Sequence, residues 1–346
     1  MRKNFTGKTA IKRKRRKGTK KKKGDGAKKK KGDGTKKKKG SVKRIKRIKK
    51  IKRKSASRRK TNVSRKTNFN TDSCTPTKGK EDLMKFTCYT KDALKKIKNL
   101  WNARHPDTKI KTNNPKQIWD QLRNNMSSSC NRESCWLKQK WFDQGMVGKL
   151  EENFAPEQPE TWKKNKNEWL NSLDINKVMK QYENNFENFE FIGPSPIDFD
   201  DHEMYGECVW DELCKFQLEE KIKNNKQKIG IIFNLDTHDK PGSHWVAMFI
   251  NIDKGEICYF DSYGDKTPNR IKKFANRIQD QSAKIGNRFH FHENEVRHQY
   301  SNSECGMYCL YFIIKLVENK LYKSLIKKKI PDKEMMELRN IYFNKV

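Results

Sequence analysis

Gly242-Ser243-His244-Trp245-Val246-Ala247-Met248-Phe249-Ile250-Asn251-Ile252 leads, through Asp253-Lys254-Gly255, into Glu256-Ile257-Cys258-Tyr259-Phe260-Asp261-Ser262. Two apolar runs flank a short polar segment ending in glycine, which is a hairpin-type pattern. A hairpin in that register brings the start of the first run beside the end of the second. His244 and Asp261 then sit close together at one end of a sheet. A second stretch, Arg297-His298-Gln299-Tyr300-Ser301-Asn302-Ser303-Glu304-Cys305-Gly306-Met307-Tyr308-Cys309, opens the most apolar run of the chain.

Working outward, 228–235 and 289–296 read as further strands bounded by polar turns. The run 305–319 reads as a helix buried on most sides, and 264–285 as an amphipathic helix crossing between strands. The class is α+β: a mainly antiparallel central sheet flanked by helices, with Cys305 at the N-terminus of a buried helix.

Those positions carry a chemistry. A carboxylate beside an imidazole holds it in one tautomer and stabilises its cation. A helix N-terminus and a neighbouring imidazolium both favour a thiolate at Cys305. Gln299, six residues earlier, offers an amide N–H that, with the Cys305 backbone N–H, makes an oxyanion hole. Gly306 leaves room for a substrate chain beside the sulfur. Taken singly, each residue has an ordinary reading: a small core thiol, a strand-end histidine, a turn aspartate, a surface amide. The combination and its spacing favour a nucleophile, base, orienter and oxyanion donor. The catalytic candidates are therefore His244, Asp261, Gln299 and Cys305.

Ahead of this body the pattern is helical. Leu83, Met84 and Phe86, then Leu94, Ile97, Leu100 and Trp101, recur at three- and four-residue spacing from Glu81 onward. Thr90 or Asp92 caps a helix that Pro106 stops, and Pro115 opens another. Residues 81–158 are read as a helical arm, and 159–346 as the catalytic domain. Near the domain start, a short amphipathic helix begins at Leu173 or Asp174 and sets Ile175, Val178, Met179 and Tyr182 on one face. Trp169 precedes it, blandly a core anchor.

The nine cysteines (74, 88, 130, 135, 208, 214, 258, 305 and 309) are odd in number, with no secretory segment before them. Reduced thiols are the expectation. Cys130 and Cys135 are loosely spaced for zinc. The second pair would be Cys208 and Cys214 with His202, at a poor spacing, so no metal site is assigned. No apolar run approaches a membrane span.

The formal net charge of +38 is a property of one end. Residues 1–66 hold 35 Lys/Arg and two acids, while the rest of the chain is close to balanced. Lys-Lys-Lys-Lys-Gly-Asp-Gly repeats with a period of eight over 20–40. Such a segment buries nothing and is expected to be disordered, followed by a polar linker over 67–80. Its charge density suits polyanions through counterion release, hence a nucleic-acid partner bound without sequence preference. Lys-rich runs also match nuclear-import patterns.

The arrangement His-Trp-x15-Asp-Ser with Gln-x5-Cys-Gly resembles the adenain and SUMO-protease superfamily of cysteine proteases. Gln299 to Gly306 is similar to that family's Gln-x-Asn-x-x-Asp-Cys-Gly signature, with Ser301 for Asn and Glu304 for Asp. Trp169-Leu170-Asn171 with Asp174 resembles the tryptophan-bearing motif near the start of that fold. The helical region with Ser129-Cys130-x4-Cys135-Trp136 looks most like the proteases of large DNA viruses, the African swine fever virus enzyme and giant-virus relatives. The resemblance covers about residues 160–340. It implies the chain order His-Asp-Cys, a protein substrate cut after Gly-Gly or Ala-Gly, and maturation of viral structural polyproteins in the virion or host cytoplasm. Trp245 and Trp169 would then face each other as a slot for residues with little side chain, unless both are core. Stripping a ubiquitin-like modifier is the second reading. A basic DNA-associated virion core protein is the third, from a different class. No cofactor is expected, except DNA as an activator by analogy with the adenain branch.

Overall fold

A computed structural model describes residues 69–76, 84–142, 144–202 and 205–345. The readings of 1–66, of both ends of the 67–80 linker and of a helix starting at Glu81 fall wholly or partly outside these residues.

The arm begins with α1 (Lys91–Arg104), where Thr90 Oγ1 accepts the Ala93 amide at 3.1 Å, an N-cap that satisfies one orphan donor. Leu94, Ile97 and Trp101 form its buried stripe. In α2 (Pro115–Asn125), Pro115 takes the first turn and Asn114 caps. With α3 (Gln144–Glu151) these helices close on a core of their own around Tyr89, Trp119, Leu122 and Trp136. The helical spacing of Met84 and Phe86 does not yield a helix: Met84 to Thr90 is turn and extended chain. The buried Glu133 carboxylate takes Thr87 Oγ1 and the Cys88 amide at 3.0 Å each, and such side-chain bonds compete with the helical ladder.

In the body, α4 (Ser172–Asn185) starts with a reciprocal capping box between Asn171 and Asp174, close to the expected start at 173–174. It buries Ile175, Val178, Met179 and Tyr182. Then come β1 (Phe189–Pro196), α5 (Asp211–Cys214), α6 (Leu218–Lys223), β2 (Lys228–Asn234), β3 (Trp245–Asn251), β4 (Glu256–Phe260), α7 (Asn269–Lys284), β5 (His290–Glu293), α8 (Cys305–Val317), α9 (Tyr322–Ile326) and α10 (Asp332–Tyr342). The strands form one sheet in the order β1-β2-β3-β4-β5. The inner pairings β2/β3 and β3/β4 are antiparallel, while the outer pairings β1/β2 and β4/β5 are parallel.

Between their polar ends, Lys228 and Asn234 in β2 and Asn251 in β3, these two strands carry no polar side chain, because both sheet faces are covered. Trp245, Ala247 and Phe249 join the core under α4, α8 and α10. Val246, Met248 and Ile250 point the other way, into the core under α7, as the two-residue period of a strand requires. Gly230 lets α8 approach β2: a Cβ there would stand 2.8 Å from Ile313 Cγ2. Arm and body are tied at Asn344, whose amide donates to Ser73 O at 3.0 Å and Ala155 O at 2.9 Å.

The expectation of nine reduced thiols is corrected. Cys74–Cys88, Cys130–Cys135 and Cys208–Cys214 are bonded, each closing a short loop with Cα atoms 5.2, 5.6 and 6.2 Å apart, within bridging range. Cys258, Cys305 and Cys309 are free and buried. The ligand atoms of His202, Cys208 and Cys214 lie within 4.8 Å of one another, but the two sulfurs are spent on each other. Among the described residues no helix is long and apolar enough to cross a membrane.

Candidate active site

His244 immediately precedes β3 and Asp261 immediately follows β4. Their strands pair with Ala247 opposite Phe260, so the two residues meet at the same sheet end. His244 Nε2 lies 2.8 Å from Asp261 Oδ1. Asp261 is buried, and the same oxygen accepts the Tyr263 amide at 2.8 Å. Its backbone is clamped by the buried Asn294, which accepts from Asp261 N at 2.8 Å and donates to Asp261 O at 2.7 Å. The Tyr263 ring stacks on the imidazole, centroids 4.6 Å apart.

Cys305 is the first residue of α8 and is 2 % exposed. Its thiol lies within interaction range of the His244 ring. With Nε2 turned to Asp261, the other nitrogen, Nδ1, is left for the sulfur. His244, Asp261 and Cys305 thus form one continuous chain of contacts.

Burial pulls the His244 pKa down, but the interactions with Asp261 and Cys305 outweigh it and push it up to about 9. A histidine held above its usual 6.5 adds stability that is full below about pH 6.5 and is lost as pH rises through 9. The shift is on the order of 3 kcal/mol. Urea titrations from pH 6 to pH 10 should therefore show a falling midpoint that His244→Gln flattens. A midpoint that falls equally in both proteins would rule the assignment out. Activity should fall over the same upper limb, as the imidazolium loses its proton.

Gln299 is fully buried. Its Oε1 accepts from Ser262 Oγ at 2.7 Å, and its Nε2 donates to Ser301 O at 2.8 Å. The Ser262 carbonyl takes both the His298 and Gln299 amides at 2.8 Å. Gln299 is thereby fixed to the segment following Asp261, though its amide donates to a neighbouring carbonyl and not to open space above the sulfur.

Trp245 is 8 % exposed, and its indole N–H donates to Leu170 O at 2.9 Å. Trp169 is 44 % exposed, which sets aside the bland core-anchor alternative for it. Both line a cavity of about 640 Å³ with Leu170, Pro194, Trp210 and Gly242. Gly306 is also corrected. A Cβ there would meet Leu170 Cβ at 3.0 Å, so its bareness makes room for the Leu170 wall and not for a substrate chain.

Three supporting residues escaped the sequence reading, Tyr263, Asn294 and Arg339, and Glu304 was noted there only as a signature position. Arg339 of α10 holds the buried Glu304 carboxylate in a fork, Nε to Oε2 at 2.9 Å and Nη2 to Oε1 at 3.1 Å. Nη2 also donates to Glu168 O at 2.8 Å. One guanidinium thus joins the residue before Cys305 to the residue before Trp169. A glutamate next to Cys305 was the only local signal.

Residues 174–346 match the Ulp1 protease family, C-terminal catalytic domain. A protein of Acanthamoeba polyphaga mimivirus assigned as a thiol protease is 29% identical over 281 residues, covering 74% of this chain and 89% of that one. A cysteine protease of African swine fever virus is 25% identical over 246 residues, covering 66% and 88%; its counterpart in another isolate bears the name SUMO-1 cysteine protease. The crystal structure of the African swine fever virus protease shares the fold, with a TM-score of 0.57 at 21% identity over 79% of this chain and 96% of that one.

Proposed function

Because the chain belongs to the Ulp1 protease family and is a thiol protease, we propose that it is an endopeptidase cutting after Gly-Gly-type sites, in the maturation of viral structural polyproteins. The observation that carries this reading is the buried run of contacts from Asp261 through His244 to Cys305, opening at the N-terminus of α8. Asp261 orients the imidazole. The Cys305 sulfur, as thiolate, attacks the scissile carbonyl, and the His244 imidazolium passes its proton to the leaving amine. His244 then takes a proton from the water that hydrolyses the thioester. The Cys305 backbone N–H and the Gln299 amide hold the oxyanion, which asks the Gln299 amide to release Ser301 O as substrate arrives. Trp169 and Trp245 border the cavity that would exclude branched residues ahead of the bond. The relatives are viral proteins, which supports a role in the virion or the infected cytoplasm.

Removal of a ubiquitin-like modifier is the second reading. It is favoured by the name SUMO-1 cysteine protease borne by a relative. Residues 1–66 would tether the enzyme to nucleic acid by their charge, with DNA as an activator.

A peptide library with Cys305→Ala as control, run beside SUMO and ubiquitin conjugates and with or without duplex DNA, separates these readings. Gly-Gly enrichment on short peptides is the expected result. Cleavage confined to folded conjugates moves the assignment to deconjugation, and a profile without small residues before the bond removes the slot. A rate indifferent to DNA removes the activator.

A further inference from the structure

Tyr263 reaches three of the catalytic candidates at once. Its amide donates to Asp261 Oδ1 at 2.8 Å, its ring stacks on the His244 imidazole, and its hydroxyl lies 3.5 Å from Gln299 Nε2. The turn that carries it is tight. The Gly264 amide donates to Asp261 O at 2.9 Å. Gly264 itself has φ 76°, and a Cβ there would stand 2.9 Å from Glu295 O, a conformation and a closeness that glycine alone takes without strain. The Arg297 guanidinium lies over the Tyr263 ring at 5.0 Å and is itself fixed by its Nε bond to Gln299 O at 2.9 Å. The phenol is thus held from its backbone outward.

Its hydroxyl proton is the unspent part. Tyr263 is half-buried. The contact with Gln299 Nε2 uses the hydroxyl as an acceptor, at the long end of the hydrogen-bond range. Among the described residues no protein acceptor takes its proton. Burial and then the charge of the neighbouring Cys305 raise its pKa above the usual tyrosine range, against the pull of Arg297, so the phenol stays a donor while the enzyme works. Gln299 is placed differently: Ser262 Oγ holds its Oε1, and its Nε2 is already spent on Ser301 O at 2.8 Å. Tyr263 therefore presents an uncommitted O–H beside an amide that must first be released.

We propose that Tyr263 is a further catalytic residue, whose hydroxyl donates a hydrogen bond to the oxyanion of the tetrahedral intermediate beside the Cys305 backbone N–H and the Gln299 amide. The proton stays on the phenol throughout. A bond to a full oxyanion is shorter and stronger than one to the ground-state carbonyl, so the donor acts on the transition state and not on substrate binding. The proposal rests on Cys305 as the nucleophile of the protease reading.

The test uses the full chain, the best-cleaved peptide of the library, the aldehyde of that peptide, and iodoacetamide. Tyr263→Phe removes the oxygen and keeps the ring on His244. The expected kcat is about 10²-fold lower, the scale of one lost oxyanion donor, with KM within about twofold. The aldehyde, which adds to Cys305 as a tetrahedral hemithioacetal, should lose affinity by the same factor. Alkylation of Cys305 by iodoacetamide makes no oxyanion, so its rate and its pH dependence should not change. A kcat within about threefold of the unsubstituted chain overturns the proposal. So does an unchanged aldehyde affinity, or an alkylation rate that falls with kcat, which would make Tyr263 a support for the thiolate and imidazolium alone. Cys305→Ala runs in parallel. Cleavage that survives it removes the protease reading itself, whereas an unaffected Tyr263→Phe removes only the donor.

Discussion

Cys305→Ala is expected to lower kcat by about 10⁶-fold, the scale seen when the nucleophile of a tightly coupled catalytic group is removed. The loss comes from chemistry and not from folding. Cys305 is already a small buried residue at a helix start, and alanine favours the helix at that position. His244→Ala should cost nearly as much, and the double variant hardly more, because sulfur and imidazole act as a unit. Asp261→Asn should cost less, about 10⁴-fold, since an amide keeps the geometry but favours the wrong tautomer. Asn294 would still pin the Asp261 backbone in that variant, so its loss reads the charge and not a collapsed loop. The measurement is single-turnover cleavage with circular dichroism on each variant. Independent, multiplicative losses for Cys305 and His244 would contradict a shared proton path.

The legible parts of this chain were those whose partners lie close in sequence or repeat with a period. The hairpin placed His244 beside Asp261 from its two apolar runs and one turn, and the apolar run after Glu304 placed Cys305 at a helix start. Strand β1 was hidden because Pro194 and Pro196 interrupt its pattern, and prolines of that kind are tolerated only at an edge. The parallel outer pairings were hidden for a related reason, since nothing local in β1 or β5 states which neighbour each will find. Gly306 was misread through a contact made across the fold. Leu170 fills the space beside Gly306 and accepts the Trp245 indole N–H, which leaves Trp169 outside. The cysteine pairs show the limit of arguing from compartment: an odd count said nothing about Cα atoms that the arm brings within bridging range.

Arg339→Met should be the most destabilising single change outside the catalytic residues. Glu304 is fully buried and its carboxylate is held by the Arg339 fork, with one further bond from Ser303 Oγ at 2.9 Å. Removing the guanidinium leaves a buried charge almost uncompensated, which costs about 3–5 kcal/mol. The same change frees Glu168 O and takes the cation off Trp162, so the wall carrying Trp169 loosens together with the turn before Cys305. Activity should fall through both KM and kcat, unlike the kcat loss of Cys305→Ala. The pair contributes little beyond what an apolar filling of the same shape supplies, because desolvating two charges offsets their attraction. Glu304→Gln/Arg339→Met should therefore recover most of the stability lost by Arg339→Met alone, through a coupling that additive sites do not show. Urea midpoints at constant m-value measure it. If Arg339→Met costs less than about 1 kcal/mol, the range of an exposed ion pair, the fork is not what holds the nucleophile turn. If the double variant is as unstable as the single one, the missing stability lies in the bonds to Glu168 and the packing on Trp162, and the clamp acts on the substrate wall more than on the nucleophile.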